Sequence, residues 1–306
     1  VPLKPKKESF IPVHPRPKIT LLDVLIGTLI LALGVYLVYR MHFKIHYEWN
    51  WAAVPQYLFR YDPETRRWIP NILIQGLFTT LKLSLWATVL AALIGGIMGL
   101  FRVSGSFFKR MTGTVYVQSV RNLPPLVLIF IFYYFASDQI LPALGVQALI
   151  DNAGEDTLSR LAFFFAPPSL IFPFLSGMMA LAVFEGSYIT EIVRAGIQSI
   201  DHGQWEASCA LGLNRRQQLW HVVLPQAVPR ILPPLAGQFI STIKDSAIVS
   251  VVSIQELTFQ GLELMAATYM TFEIWVTITG MYLLLTLSLS MAVSYVENRM
   301  AARTAG

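Results

Sequence analysis

Six apolar stretches, over 21–39, 71–100, 114–136, 169–193, 231–254 and 272–296, run through this 306-residue chain. A helix needs about 20 apolar residues to cross the hydrocarbon core of a bilayer. Backbone in that medium must satisfy its own hydrogen bonds, which confines such stretches to helices. The sequence therefore predicts an all-α integral membrane protein of about six transmembrane helices. Composition agrees: only 13% of residues are charged, against about 25% in soluble domains. The stretch from 71 is unusually long, so its first turns are expected at the interface, with Lys82 snorkelling toward headgroups. The single cysteine, Cys209, excludes an intrachain disulfide and a cysteine-based zinc cluster.

Lys and Arg mark the cytoplasmic loops of a membrane protein. The tail 1–20 holds five basic residues and reads as disordered, followed by a retained anchor over 21–39. The loops 101–113 and 194–230 and the tail 297–306 are also basic. With six spans all four fall on one side, the cytoplasm, with both termini. The acidic loops 137–168 and 255–271 then face outward, the latter with Glu256 and Glu263. The 40–70 segment resists, because parity makes it an external linker although it carries five basic residues. The net charge of +5 is accounted for by such loops and does not call for nucleic acid. No phosphate-binding G-x-x-x-x-G-K-[ST] loop is present, so any nucleotide site lies on another chain. The five histidines are scattered, and no catalytic or metal constellation is legible.

The longest polar interruption of the second half, "GQWEASCALGLNRRQQLWHVVLPQ", is rich in helix signals. Asp201 is positioned to cap a short helix, with Gln204 completing a capping box, and Gly212 to stop it. Asn214, with Gln217, opens a second helix expected to end before Pro225. The result is a stiff hairpin over 196–228. Trp205, Leu219, Trp220 and Val223 supply apolar surface, so it reads either as a loop folded locally or as a docking element.

Glu206-Ala207-Ser208, three residues, Gly212, nine residues, then Val222-x-Leu224-Pro225 resembles the EAA loop of ABC importer permeases. Ser208 stands for the usual alanine and Val222 for isoleucine, with the spacing intact. "FEGSYITEIVRAGIQSIDHGQWEAS" and "LPPLAGQFISTIKDSAIVSVVSIQEL" are similar to the permease subunits of polar amino-acid importers, the histidine/glutamine/glutamate class. The likeness covers roughly 71–296 and implies a five-helix permease core, to which the first span is an added anchor. It implies that Glu206, Ala207, Ser208, Gly212, Asn214, Leu224 and Pro225 form the ATPase-coupling loop. It also implies an ABC ATPase subunit that binds ATP and Mg, a second permease subunit, identical or paralogous, and an extracytoplasmic amino-acid-binding protein. No cofactor is expected on this chain, which would sit among the lipids of a bacterial cytoplasmic membrane.

Several charges lie within the spans. A charged side chain at the bilayer centre costs roughly 2.5–3.5 kcal/mol on insertion scales. Glu185 is either protonated or hydrogen-bonded inside the bundle, or it is a ligand for a substrate ammonium, with Gly186, Ser187 and Tyr188 beside it. Lys244 and Asp245 interrupt 231–254; adjacent residues do not share a helix face, so a helix break or separate partners are expected. Glu191 and Arg194, three apart, are expected to pair. Arg121, Pro124 and Pro125 should kink the third span. The competing readings are an ATP-independent secondary transporter or channel and a scaffold; the hairpin has no use in the first, and the buried charges none in the second. The orientation is checked with impermeant thiol reagents: they should spare Cys209 in intact cells and label it in inverted vesicles, and labelling from outside would reverse the topology.

Overall fold

The computed structural model describes residues 20–44 and 47–304. It divides into two units, with the boundary between Trp49 and Asn50. The basic tail expected over 1–20 lies, but for Thr20, outside the described residues. The first unit contributes one helix, α1 (Leu21–Lys44), whose first turn is closed by Thr20 and Asp23 through bonds of 2.8 Å to Asp23 Oδ2. Among its described side chains Leu21, Leu25, Leu29, Leu33 and Val35 are exposed.

The second unit holds five helices long and apolar enough to cross a membrane. It does not begin with a linker. A 3₁₀ turn at Trp51–Ala53 and α2 (Val54–Leu58) lead into a two-stranded antiparallel hairpin, β1 (Phe59–Asp62) and β2 (Arg67–Pro70). Val54, Tyr57 and Leu58 pack with Leu73, Met270 and Ile274, so this segment is seated on the ends of two spans. The Asn50 N–H donates to Glu273 Oε1 at 2.7 Å, and Asn71 Nδ2 to the Gln56 carbonyl at 2.6 Å.

The first span of the unit is α3 (Ile72–Arg102). Next comes α4 (Phe107–Asn122), then α5 (Pro125–Ala143), which contains a π-helical segment at Ala136–Ile140. The single span expected over 114–136 is therefore two helices. Leu123 and Pro124 are extended, because each precedes a proline, and such residues are driven out of the helical region. The expected kink is a full break, and the span moves to Pro125–Ala143. Two short helices follow, α6 (Val146–Asp151) and α7 (Glu155–Phe164).

The central element is α8 (Ile171–Gln198), the most buried span. Its most extensive neighbour is α3. Small residues every fourth position, Ala87, Ala91, Gly95 and Gly99, make a fully buried stripe along α3 that lets the two backbones approach. A Cβ built on Gly95 would lie 2.7 Å from Ile189 Cβ and 2.9 Å from the Gly186 carbonyl oxygen. One built on Gly99 would lie 2.7 Å from Val193 Cβ.

After α9 (His202–Ala210) comes one continuous helix, α10 (Arg215–Val252), which changes hydrogen-bonding pattern three times. It is α-helical at Arg215–Gln217, π-helical at Gln218–Val223, α-helical again to Asp245, and 3₁₀ from Ser246 to Val252. The expected stop before Pro225 does not occur. A proline ring strikes the carbonyl four residues back, here that of His221, and the wider π turn gives that carbonyl room. Pro229, Pro233 and Pro234 also lie inside the helix. Of the two alternatives at Lys244 and Asp245, a helix break or separate partners, the break does not occur: the turn tightens there without interruption.

The loop expected over 255–271 is instead a helix, α11 (Leu257–Thr268), packed against α3 and the last span, α12 (Thr271–Thr304). Glu256, placed in an external loop by the sequence, is completely buried and caps α11. It accepts from the N–H groups of Thr258 and Phe259 at 2.9 and 2.7 Å, and from the Tyr282 hydroxyl at 2.9 Å. The Thr80 hydroxyl approaches it at 3.4 Å, so three elements meet on one carboxyl. Burial pushes the Glu256 carboxyl above the ordinary glutamate range, and these donors partly offset the shift. Lys82 does not snorkel freely: its Nζ donates at 2.9 Å to the carbonyl of Ala162, in the last turn of α7.

The close α3–α8 contact leaves no room for a side chain at Gly95. Gly95→Val should destabilise the protein by about 1–3 kcal/mol through overpacking, read as a lower thermal midpoint in detergent. Gly96→Val should leave the midpoint unchanged, because nothing lies within 4 Å of a Cβ there.

Candidate functional site

The polar segment after α8 folds as the sequence analysis expects in outline. Asp201 caps α9, its Oδ1 accepting from the Gly203 N–H at 2.7 Å. The expected partner Gln204 does not close a box; its Oε1 accepts instead from Gln226 Nε2 at 3.2 Å, tying α9 to α10. At the other end Gly212 has φ +80°, open to glycine at no steric cost. Its N–H bonds to the Cys209 carbonyl at 2.9 Å and the Leu213 N–H to the Ser208 carbonyl at 3.2 Å, the paired bonds of a Schellman stop. Asn214 and Gln217 then form a full capping box at 2.9 and 3.0 Å.

Ser208 is buried, with its hydroxyl donating to the Trp205 carbonyl, so a small residue is required where the chain folds back. Gln218 is buried beside it and donates to the Leu213 carbonyl at 2.7 Å. Of the four residues expected to give spare apolar surface, Val223 is fully buried. Trp205 and Leu219 pack against the cluster of Ile197, Ile200, Ala227 and Ile231. Only Trp220 stays exposed, joined at the hairpin tip by Leu211. Leu224 is half-buried on the same cluster, and Pro225 and Ala207 are exposed. The Glu206 carboxylate is free to solvent but for His202 Nδ1 at 3.0 Å, one helical turn earlier. Arg230 closes the base by donating to the Ser199 carbonyl and hydroxyl. The hairpin is therefore a stiff, capped projection with Glu206, Leu211 and Trp220 on its surface.

Glu191 and Arg194 pair as expected, at 2.7 Å. The sequence did not reveal the third member, Arg102 of α3, which bonds the other oxygen of Glu191. This cluster fastens the end of α3 to α8 beside the hairpin. Arg121 lies over the ring of Tyr188, with its guanidinium carbon 4.9 Å from the centroid.

Deeper in α8, Glu185 is completely buried. One oxygen accepts from Gln238 Nε2 at 2.6 Å, while Oε1 has no hydrogen-bond partner. Thr242 and the carboxyl of Asp245 lie against it. Gln238, Thr242 and Asp245 are four and three residues apart, so they share one face of α10. Two carboxyls and an amide thus meet between α8 and α10, inside the span. The other expected pathway residues are elsewhere. Ser187 spends its hydroxyl on the Phe184 carbonyl at 2.8 Å, Tyr188 faces Arg121, and Lys244 is exposed. Gln238 and Thr242 escaped the sequence reading, although their helical spacing from Asp245 was a usable signal.

The second unit is thus a bundle of apolar helices with a capped hairpin on one side and an acidic pair between two of its spans. Residues 91–302 match the family described as the binding-protein-dependent transport system inner membrane component, and the chain belongs to it. It is 31% identical over 262 residues to the glutamine transport system permease protein GlnP of Escherichia coli, covering 84% of this chain and 99% of the relative. It is 30% identical over 230 residues to a probable glutamine ABC transporter permease protein, GlnM, of Bacillus subtilis, covering 75% and 94%. A crystal structure of an amino acid ABC transporter with histidines matches with a TM-score of 0.59 and 32% identity, over 74% of this chain and 94% of that one. An inward facing structure of the MetNI methionine ABC transporter shares the fold, with a TM-score of 0.54 at 18% identity, over 76% and 95%.

Proposed function

We propose that this chain is the permease subunit of an ATP-driven importer of polar amino acids, inserted in a bacterial cytoplasmic membrane with both termini and the hairpin on the cytoplasmic side. The relatives named above for glutamine support the substrate class. ATP and Mg belong to a separate ATPase subunit, and this chain carries out no chemistry of its own. An extracytoplasmic binding protein delivers the substrate, and a second permease subunit, identical or paralogous, completes the pathway.

The observation that carries this reading is the unbroken helix α10 between the hairpin and the acidic pair. From Asn214 to Gln238 it rises roughly 35 Å at 1.5 Å per residue. A hairpin fixed at both ends by caps moves as a body with that helix. Closure of the ATPase on Glu206, Leu211 and Trp220 would then shift Gln238 and Asp245 relative to Glu185, alternating the access of the site between the two faces. A cation is the natural occupant of a buried acidic pair with an unsatisfied oxygen. Every amino acid carries an ammonium, so this site serves the class without choosing the member.

Two experiments test the two ends. Gly212→Val places a β-branched residue at φ +80°, which strongly disfavours the turn. The reconstituted complex should insert normally and lose substrate-stimulated ATP hydrolysis; stimulation at the parental rate would remove the hairpin from coupling. Glu185→Gln keeps the Gln238 bond and removes one of two crowded carboxyls, so the thermal midpoint should hold or rise. Transport should fall while the ATPase still binds. Parental transport rate and affinity in that variant would make Glu185 a structural carboxyl.

A further inference from the structure

On the side of α3 away from α8, exposed apolar residues recur at Phe78, Leu85, Val89, Leu93 and Ile97. The stripe covers 20 residues, a rise of roughly 28 Å, close to the thickness of the hydrocarbon core. Exposed and apolar over that length, it is suited to contact lipid. Lys82 interrupts it between Phe78 and Leu85, one turn from the former. Its ammonium has three N–H donors, and one is used, on the Ala162 carbonyl. Among the described residues no carboxylate pairs with it.

Lys82 borders a groove of about 760 Å³ between α3, α7 and the start of α11. Trp86 holds the groove's far wall in place: its Nε1 donates to the Phe164 carbonyl at 2.9 Å, and its ring stacks on Phe165 at 4.9 Å. That leaves the side chains of Phe163 and Phe164 exposed as an apolar wall opposite Phe78 and Leu85. The inner end is polar. Gln260, only 6% exposed, lines the groove, and its buried Oε1 has no hydrogen-bond partner. A buried acceptor left unpaired is costly, so an occupant with a donor is favoured there.

We propose that this groove binds an anionic glycerophospholipid with a hydroxylated headgroup. The phosphodiester takes the free N–H groups of Lys82, a headgroup hydroxyl donates to Gln260 Oε1, and an acyl chain lies along Phe78, Leu85, Phe163 and Phe164. A choline headgroup has no N–H or O–H to donate and brings a cation toward Lys82. A soluble phosphate has no chain for the apolar wall. The site is separate from Glu185 and from the hairpin, and it does not depend on their assigned roles.

Native mass spectrometry of the intact transporter complex, equilibrated with phosphatidylglycerol and phosphatidylcholine at equal concentration, tests it. The parental protein should retain the glycerol lipid with a preference of about fivefold, the effect of one lysine at an anionic surface. Lys82→Gln should abolish the preference, Lys82→Arg should keep it, and Gln260→Leu should reduce it. Glycerol 3-phosphate alone should not displace the lipid. Equal retention of both lipids by the parental protein, an undiminished preference in Lys82→Gln, or displacement by glycerol 3-phosphate would each overturn the site. Should Lys82→Gln not survive purification, Gln260→Leu decides, and an undiminished preference there has the same consequence.

Discussion

The approach of α3 to α8 through a stripe of alanine and glycine is the contact from which the rest of the second unit takes its positions. In lipid there is little hydrophobic drive to bring helices together, so packing at close range has to supply it. Once Gly95 and Gly99 lie against Ile189 and Val193, the two ends of α3 are placed as well. Arg102 then reaches Glu191 beside the hairpin. At the other end Thr80 reaches Glu256, while Lys82 and Trp86 cap the carbonyls of α7. The first of these contacts joins α3 to α8 directly; the others join it to α11 and α7 along the same helix.

The buried polar groups in and between the spans fall into two kinds. Glu256 and Glu191 are fully engaged: the first with two backbone N–H groups and two hydroxyls, the second with two arginines. They cross-link elements. Glu185 differs, because one oxygen is left without a donor and a second carboxyl lies against it. An arrangement of that kind is poor for stability, where a satisfied or apolar replacement would do better. It is well suited to receiving a cation that comes and goes, and this contrast is the physical basis for proposing Glu185, and not Glu191 or Glu256, as the transport site.

Stiffness links that site to the hairpin. Caps at Asp201, Gly212 and Asn214 remove the freedom that a loop of this length would otherwise have. The π segment at Gln218–Val223 keeps α10 continuous across Pro225. A sequence rule that ends helices ahead of proline is sound for an isolated helix. It fails here because packing of Val223, Ala227 and Ile231 on α8 outweighs the local cost and selects the wider turn.

Hydropathy and punctuation in the sequence already determined much of this protein. The all-α membrane class follows from apolar length, because uninterrupted apolar stretches of about 20 residues satisfy their backbone in lipid as helices. The hairpin caps at Asp201, Gly212 and Asn214, and the Glu191–Arg194 pair, follow from spacings of two to four residues, where covalent geometry alone sets who meets whom. What lay beyond the sequence needed elements distant in the chain to come together. The splitting of the third span at Leu123 and Pro124 was legible only as a kink. The burial of Glu256, the third partner Arg102, and the grouping of Gln238 and Asp245 on Glu185 depend on rotation and depth of packed helices. A helix offers the same residues to any neighbour, and only the small-residue seam between α3 and α8 decides which face turns inward.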